Sequence, residues 1–197
     1  YKKAFTNLFF ALLISIVIPS SFVIIDGGHR GVVKKFGAIE NRVLPEGLNF
    51  VIPLIEQVDK FDVRINKYEG DSKAASKDLQ NVSATVVVNY HPIPSKMHLI
   101  IQTIGADFLE RVISPTIQES VKAVTAKFTA EQVITERQIV SNQMLDALNE
   151  KVNRYGIFIE VYNVTDFQFS EEFNKAIEAK QTAQQQALKA EQDLTQI

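Results

Sequence analysis

Read for polar and apolar positions, the chain falls into three parts. From Ala4 to Ile25 no residue is charged. As a helix these roughly 22 positions span about 33 Å, matching the ~30 Å hydrocarbon core of a bilayer. The pattern predicts a membrane anchor over residues 1–25, with Phe5, Leu8, Phe9, Phe10, Leu12, Leu13, Ile14, Ile16, Val17, Ile18, Phe22, Val23 and Ile24 as its apolar surface. Three other readings stay open. A cleaved signal peptide would need Pro19-Ser20-Ser21 as its processing site, although the apolar run continues beyond it. Pro19 could bend the run into a hairpin dipping into one leaflet, and a buried core helix would have to lack a polar face over six turns.

Residues 26–169 read as one α+β domain or two small ones. Its first part alternates with the period of strands: Gly31 to Gly37, then Leu48 to Ile52 after Pro45-Glu46-Gly47, then Gln57 to Tyr68 with Val58, Phe61, Val63 and Ile65 apolar. Gly70 to Asp78 reads as a polar loop. From Leu79 to Tyr90, Val82, Ala84, Val86, Val88 and Tyr90 share one face and Ser83, Thr85, Val87 and Asn89 the other, the mark of a half-buried antiparallel strand.

His91-Pro92-Ile93-Pro94 ends this sheet, and the period changes to that of helices. Ser114 with Pro115 reads as an N-cap and first helical position, followed by the stripe Ile117, Val121, Val124 and Phe128. Thr129-Ala-Glu-Gln132 and Thr135-Glu-Arg-Gln138 both have capping-box spacing. Val140, Met144, Leu148, Val152 and Tyr155 form the last stripe, which stops at Gly156. A closing strand follows, in which Ile157, Ile159 and Val161 alternate with Phe158, Glu160 and Tyr162, and Phe167 with Phe169 continues to the tail. Strands, helices, a strand and a long helix specify an antiparallel sheet with helices on one side.

The tail, residues 170–197, contains no Gly or Pro and is rich in Ala, Gln, Glu and Lys, so it predicts a helix of roughly 40 Å. Phe173, Ala176, Lys180, Ala183, Ala187, Ala190, Leu194 and Ile197 keep 3-4 spacing, the signature of a coiled-coil seam. Most of that seam is alanine. Such a seam buries little area per pair but lets helices approach closely, which suits side-by-side packing of many copies.

Candidate chemistry changes this picture little. Net charge is −2, and no basic cluster interleaves with aromatics, which argues against nucleic acid. There is no cysteine to form a disulfide, a thiolate metal site or a nucleophile. His29, His91 and His98 lack metal-ligand spacing, and no nucleophile elbow, Walker loop or HExxH stands in the chain. Gly27-Gly28-His29-Arg30-Gly31 leads into a strand rather than a helix and reads as a hinge. No catalytic, cofactor-binding or metal-binding residues are predicted.

An N-terminal apolar segment, then Gly31-Val-Val-Lys-Lys-Phe-Gly37 and Leu44-Pro-Glu-Gly-Leu-Asn-Phe-Val-Ile-Pro53, then helices and a coiled-coil tail, resembles the stomatin/prohibitin/flotillin/HflK-C superfamily, also called Band 7 or SPFH. Ala75-Ser-Lys-Asp-Leu-Gln80, the run Phe128 to Ser141 and above all Glu172 to Ala187 are similar to prohibitins. The resemblance covers almost the whole chain. It implies a scaffold rather than an enzyme: a membrane-attached ring or cage of many copies, alone or together with a paralogue, that organises a membrane patch and restrains a membrane-bound AAA protease of the FtsH type. The alternative is a stomatin- or HflK/C-like tethered adaptor that presents a partner enzyme without enclosing membrane. Prohibitin tails extend further than Ile197 and the chain begins without Met, so the resemblance also implies segments beyond both ends.

Orientation is contested between two arguments. Arg30, Lys34, Lys35 and Arg42 outnumber Lys2 and Lys3, which by positive-inside counting favours a cytoplasmic domain. The resemblance implies a domain on the non-cytoplasmic side: periplasm, thylakoid lumen or mitochondrial intermembrane space.

Overall fold

The computed structural model describes residues 18–195, as two compact units interleaved along the chain. The first comprises residues 18–67, 89–116 and 149–160 of those described; the second, residues 68–88, 117–148 and 161–195.

The first unit opens with a change of period. Residues 18–20 are helical, but Phe22–Ile25 is a strand, β1, paired antiparallel with β4 (Gly47–Phe50). This corrects the anchor assignment at Phe22, Val23 and Ile24. An aromatic followed by three β-branched residues suits a pleated surface, and Ile25 gains burial there that a lipid-facing helix would not provide. Strand β2 (His29–Lys35) lies between β3 (Ala38–Leu44) and β5 (Glu56–Asp62), antiparallel to both. Ile25, Val33, Leu44 and Val51 form its core, edged by Val23 and Val58. Helix α1 (Met97–Thr103) lies against β2 and β3, so consecutive Val32 and Val33 are both buried.

Gly31 is where these layers meet. A Cβ there would stand 2.7 Å from Val58 Cγ1, 3.0 Å from Ile25 Cδ1 and 3.1 Å from Leu44 Cβ. Only glycine lets β1 close over β2 at that distance.

The second unit carries most of a three-stranded sheet in the order β6 (Asn66–Ala75), β7 (Asn81–Pro92), β8 (Ile157–Phe169). The predicted β7 face is the observed one: Val82, Ala84, Val86, Val88 and Tyr90 are all buried. Helices α2 (Ser114–Thr125), α3 (Ala130–Thr135) and α4 (Arg137–Val152) bury Ile117, Val121, Val124, Val133, Val140, Met144 and Leu148. The Tyr162 hydroxyl donates to Met144 Sδ at 3.5 Å, the Ser141 hydroxyl donates to Tyr162 O, and burial pushes the Tyr162 phenol well up. Arg137 donates to the carbonyls of Val164 and Thr165 and lies over Phe167.

Several local expectations give way. Gln57 to Tyr68 is two strands, broken where Arg64 folds back on Asp62 in a bidentate pair. The expected loop from Gly70 is strand as far as Ala75, its exposed Lys67, Glu69, Asp71 and Lys73 being the charges of an edge strand. Ser114 is no N-cap. A π turn, Leu109–Ile113, runs straight into α2, and its wider ring accommodates Pro115, which has no N–H to continue the ladder. Thr129 and Gln132 do form the predicted capping box. Thr135 instead ends α3, its hydroxyl donating to Glu131 O, and α4 restarts at Arg137. Gly156 takes the left-handed conformation, φ 86°, as expected of a C′ residue. On β8 the parity shifts after Ile159, so that Val161 is 40% exposed and Tyr162 and Val164 are buried in its place.

Helix α5 (Glu171–Thr195) leaves β8 at Ser170, whose hydroxyl accepts from Phe173 N–H at 3.2 Å. It is 25 residues long, about 37 Å.

Candidate membrane and assembly surfaces

The β1–β4 ribbon has two unlike faces. Val23 and Ile25 turn toward the core, while Phe22 stands opposite Phe50 and Ile24 opposite Leu48 on the outer face. All four outer residues are exposed, and the two phenyl rings meet edge to face at 5.9 Å. Ile52 and Leu54 extend the apolar surface along the following turn. Leu54 is 99% exposed at φ 70°, and Phe36, at the β2–β3 turn, is exposed at φ 50°; Phe36 N–H donates to Ile55 O, which joins the two turns.

Around this surface the charges neutralise one another. Arg30 pairs with Glu46, Lys34 with Asp59, Lys35 with Glu40, Arg42 with Glu56 at 2.7 Å, and Lys60 with Asp26. The four cations counted for orientation are thus strand residues, each facing a carboxylate. The Ile52 N–H, and after it Arg42, hold the Glu56 carboxyl below its usual range, and Arg64 holds that of Asp62 down at about 2.

Of the seam residues, Phe173 is half-buried, stacked near Phe169 at 5.2 Å, while Ala176, Lys180, Ala183 and Ala187 are exposed. The adjacent stripe, Ile177 and Gln184 with Lys180 at its edge, faces α3, and Lys180 Nζ lies 2.9 Å from Glu131 Oε2. The alanine stripe is therefore left open. Between Lys180 and Lys189 the helix has no charged residue. Phe5 to Val17 and Ile197 lie outside the described residues, as do the side chains of Ala190 and Leu194; Ile18 is helical and exposed.

Chemistry is sparse among the described residues. No group of three His, Asp or Glu side chains could hold a metal there. His91 Nε2 meets Glu160 Oε1 at 3.1 Å with its ring beside Phe158, and His29 Nδ1 meets Gly27 O. The apolar turn residues Phe36, Leu54 and Leu79 escaped the hydropathy reading. Their signal was a bulky apolar side chain at turn positions that favour Gly, Asn or Asp.

The SPFH domain / Band 7 family profile matches residues 23–196. Prohibitin-7, mitochondrial, of Arabidopsis thaliana is 38% identical over 88% of this chain and 63% of its own length. Mitochondrial prohibitin complex protein 1 of Caenorhabditis elegans is 38% identical over 84% of this chain and 61% of its own. Prohibitin-2 of Schizosaccharomyces pombe is 38% identical over 96% of this chain and 67% of its own. The chain spans less than two thirds of the length of the first two.

Proposed function

The chain belongs to the SPFH domain / Band 7 family and groups with the prohibitins, and from that premise we propose that it is a membrane-attached scaffold subunit, not an enzyme, working as a large assembly of copies. Helix α5 carries this reading: its alanine stripe is exposed, while the neighbouring Ile177 and Gln184 face α3 across a cleft. A helix surface of small residues gains from close parallel neighbours, and many weak lateral contacts become a stable wall once a ring raises the effective concentration of each. The name of the Caenorhabditis relative, which describes a complex, supports the same reading.

The bilayer is the second partner in the proposal. The charge-free run that begins at Ala4 in the sequence ends in β1, whose outer face is apolar and exposed. No described helix is long and apolar enough to cross a membrane, so anchoring rests on the sequence of the opening segment. The names of the mitochondrial relatives favour a mitochondrial membrane; a domain on its intermembrane side is the orientation proposed, and protease protection in sealed vesicles tests it. A membrane-bound AAA protease is the partner whose access the cage would limit, tested by co-purification. For the scaffold itself, the full-length protein is extracted in mild detergent and sized. A large, uniform particle is expected; a monodisperse monomer would sink the reading.

A further inference from the structure

The turn between β6 and β7 is built to hold one leucine outward. Ser76 is buried; its hydroxyl accepts from Gln80 N–H at 3.0 Å and donates to Asp78 Oδ1 at 2.6 Å. Ser76 N–H donates to Gln80 O, and Leu79 N–H to Ser76 O. The turn is also fastened to the start of α3, since Ala130 N–H donates to Asp78 Oδ1 at 2.9 Å and Lys77 N–H to Phe128 O at 2.8 Å. At its apex Leu79 sits at φ 61° with 84% of its surface exposed. Glycine or asparagine would occupy that conformation with less strain, and an apolar side chain in water contributes no packing to its own fold. A side chain already held rigid loses little freedom on binding, which favours its use as a contact.

The same unit has an unfilled hole. Between α3 and α5 lies a cleft of about 120 Å³, lined by Ile134, Ile177, Thr135 and Gln184, with Glu131 and Lys180 at its rim. A cavity of ~150 Å³ holds a benzene molecule, so this cleft, whose lining mixes Ile134 and Ile177 with polar side chains, has room for one branched aliphatic side chain. Charge is complementary as well. Glu131 and Lys180 pair with one another at the rim, at 2.9 Å, and Lys77 and Asp78, which precede the knob, would extend that pair into a network of alternating charge.

We propose that Leu79 of one copy seats in the α3–α5 cleft of the next. The inference rests on the oligomeric reading above and supplies a contact for it. Knob and hole are different surfaces, so every copy gives one and receives one. Such a heterologous contact generates a ring where the rotation between neighbours closes.

The absence of cysteine makes the test direct. The full-length double variant Leu79→Cys with Gln184→Cys is oxidised in its membrane after the native particle has been sized. A non-reducing gel is expected to show a ladder of dimers, trimers and larger species. Mixing the two single variants should stop the ladder at dimers, and neither single variant should cross-link alone. Leu79→Gly should shrink the particle, raising at least tenfold the concentration at which it half-dissociates, while leaving the melting temperature unchanged or higher. A large particle with no ladder overturns this contact and leaves the scaffold reading standing; a monomeric particle overturns both. Dimers from Leu79→Cys alone, or only an internal disulfide in the double variant, also refute the knob-in-cleft geometry.

Discussion

Gly31→Ala tests the packing that draws Phe22–Ile25 into a strand. The added methyl would meet Val58 Cγ1 at 2.7 Å and Leu44 Cβ at 3.1 Å, and neither yields easily: one belongs to a stiff β-branched side chain, the other adjoins the backbone. Ile25 Cδ1, at 3.0 Å, is the end of a flexible side chain and can move. Overpacking of this kind costs about 1–3 kcal/mol, offset by the ~0.5–1 kcal/mol that alanine contributes over glycine within a strand. The net expectation is a loss of about 1–2 kcal/mol. With a urea slope of about 1–3 kcal/mol/M, the unfolding midpoint of the detergent-solubilised protein should fall by roughly 0.5–1 M. Hydrogen exchange should quicken first in β1 and β2. Val58→Ala opens the space the methyl needs, so the double variant should be more stable than the two single losses predict, by about 1 kcal/mol. If Gly31→Ala unfolds like the parent and its effect simply adds to that of Val58→Ala, β1 does not pack over β2 as described.

Charging the open stripe with Ala183→Glu and Ala187→Glu should dissolve the particle on a sizing column while circular dichroism shows the domain folded; a particle of unchanged size would move the seam elsewhere on α5. Gly156→Ala combines φ 86° with a Cβ 2.7 Å from Lys96 Cβ, and thermal melting should show a loss of at least about 1 kcal/mol. Thr129→Ala removes the α3 capping box and should cost about 1 kcal/mol in the same assay. Asp62 has its folded pKa lowered from 3.8 to about 2 by Arg64, so its contribution is present above about pH 4 and is lost as pH falls through 2. The pair is exposed to solvent and screened by it, so the stability gap between the parent and Asp62→Asn should be small at pH 7, shrink in salt and vanish below pH 2.

What could be read in advance was what a single local rule decides. Strand β7 was legible because one face is wholly buried and the other is not, so alternation stands out along its length. Thr129 and Gly156 were legible because a cap is specified within a few residues. The end of the apolar run was not, because Phe-Val-Ile-Ile is equally apolar as helix or strand; only Gly47–Phe50, a partner more than twenty residues away, decides between them. The parity shift after Ile159 leaves no mark among Val161, Tyr162 and Val164, all apolar enough for either side. Edge strand β6 was hidden by the charges that protect such edges. The exposed leucines at positive φ look like hydrophobic noise until the backbone shows the turns that hold them.

The uncharged middle of α5 bears on how a wall of such helices would behave under load. Register and polarity between neighbouring helices are ordinarily set by charges flanking the seam, which match in one alignment and repel in others. From Gln181 to Leu188 there are none: alanine meets alanine, and glutamine amides accept any partner. One helix could slide by a turn or a heptad against the next at little energetic cost over this band. In the proposed assembly, neighbours joined in this way would resist being pulled apart better than they resist shear, so such a wall could lean, taper or change curvature with a membrane beneath it without losing a subunit.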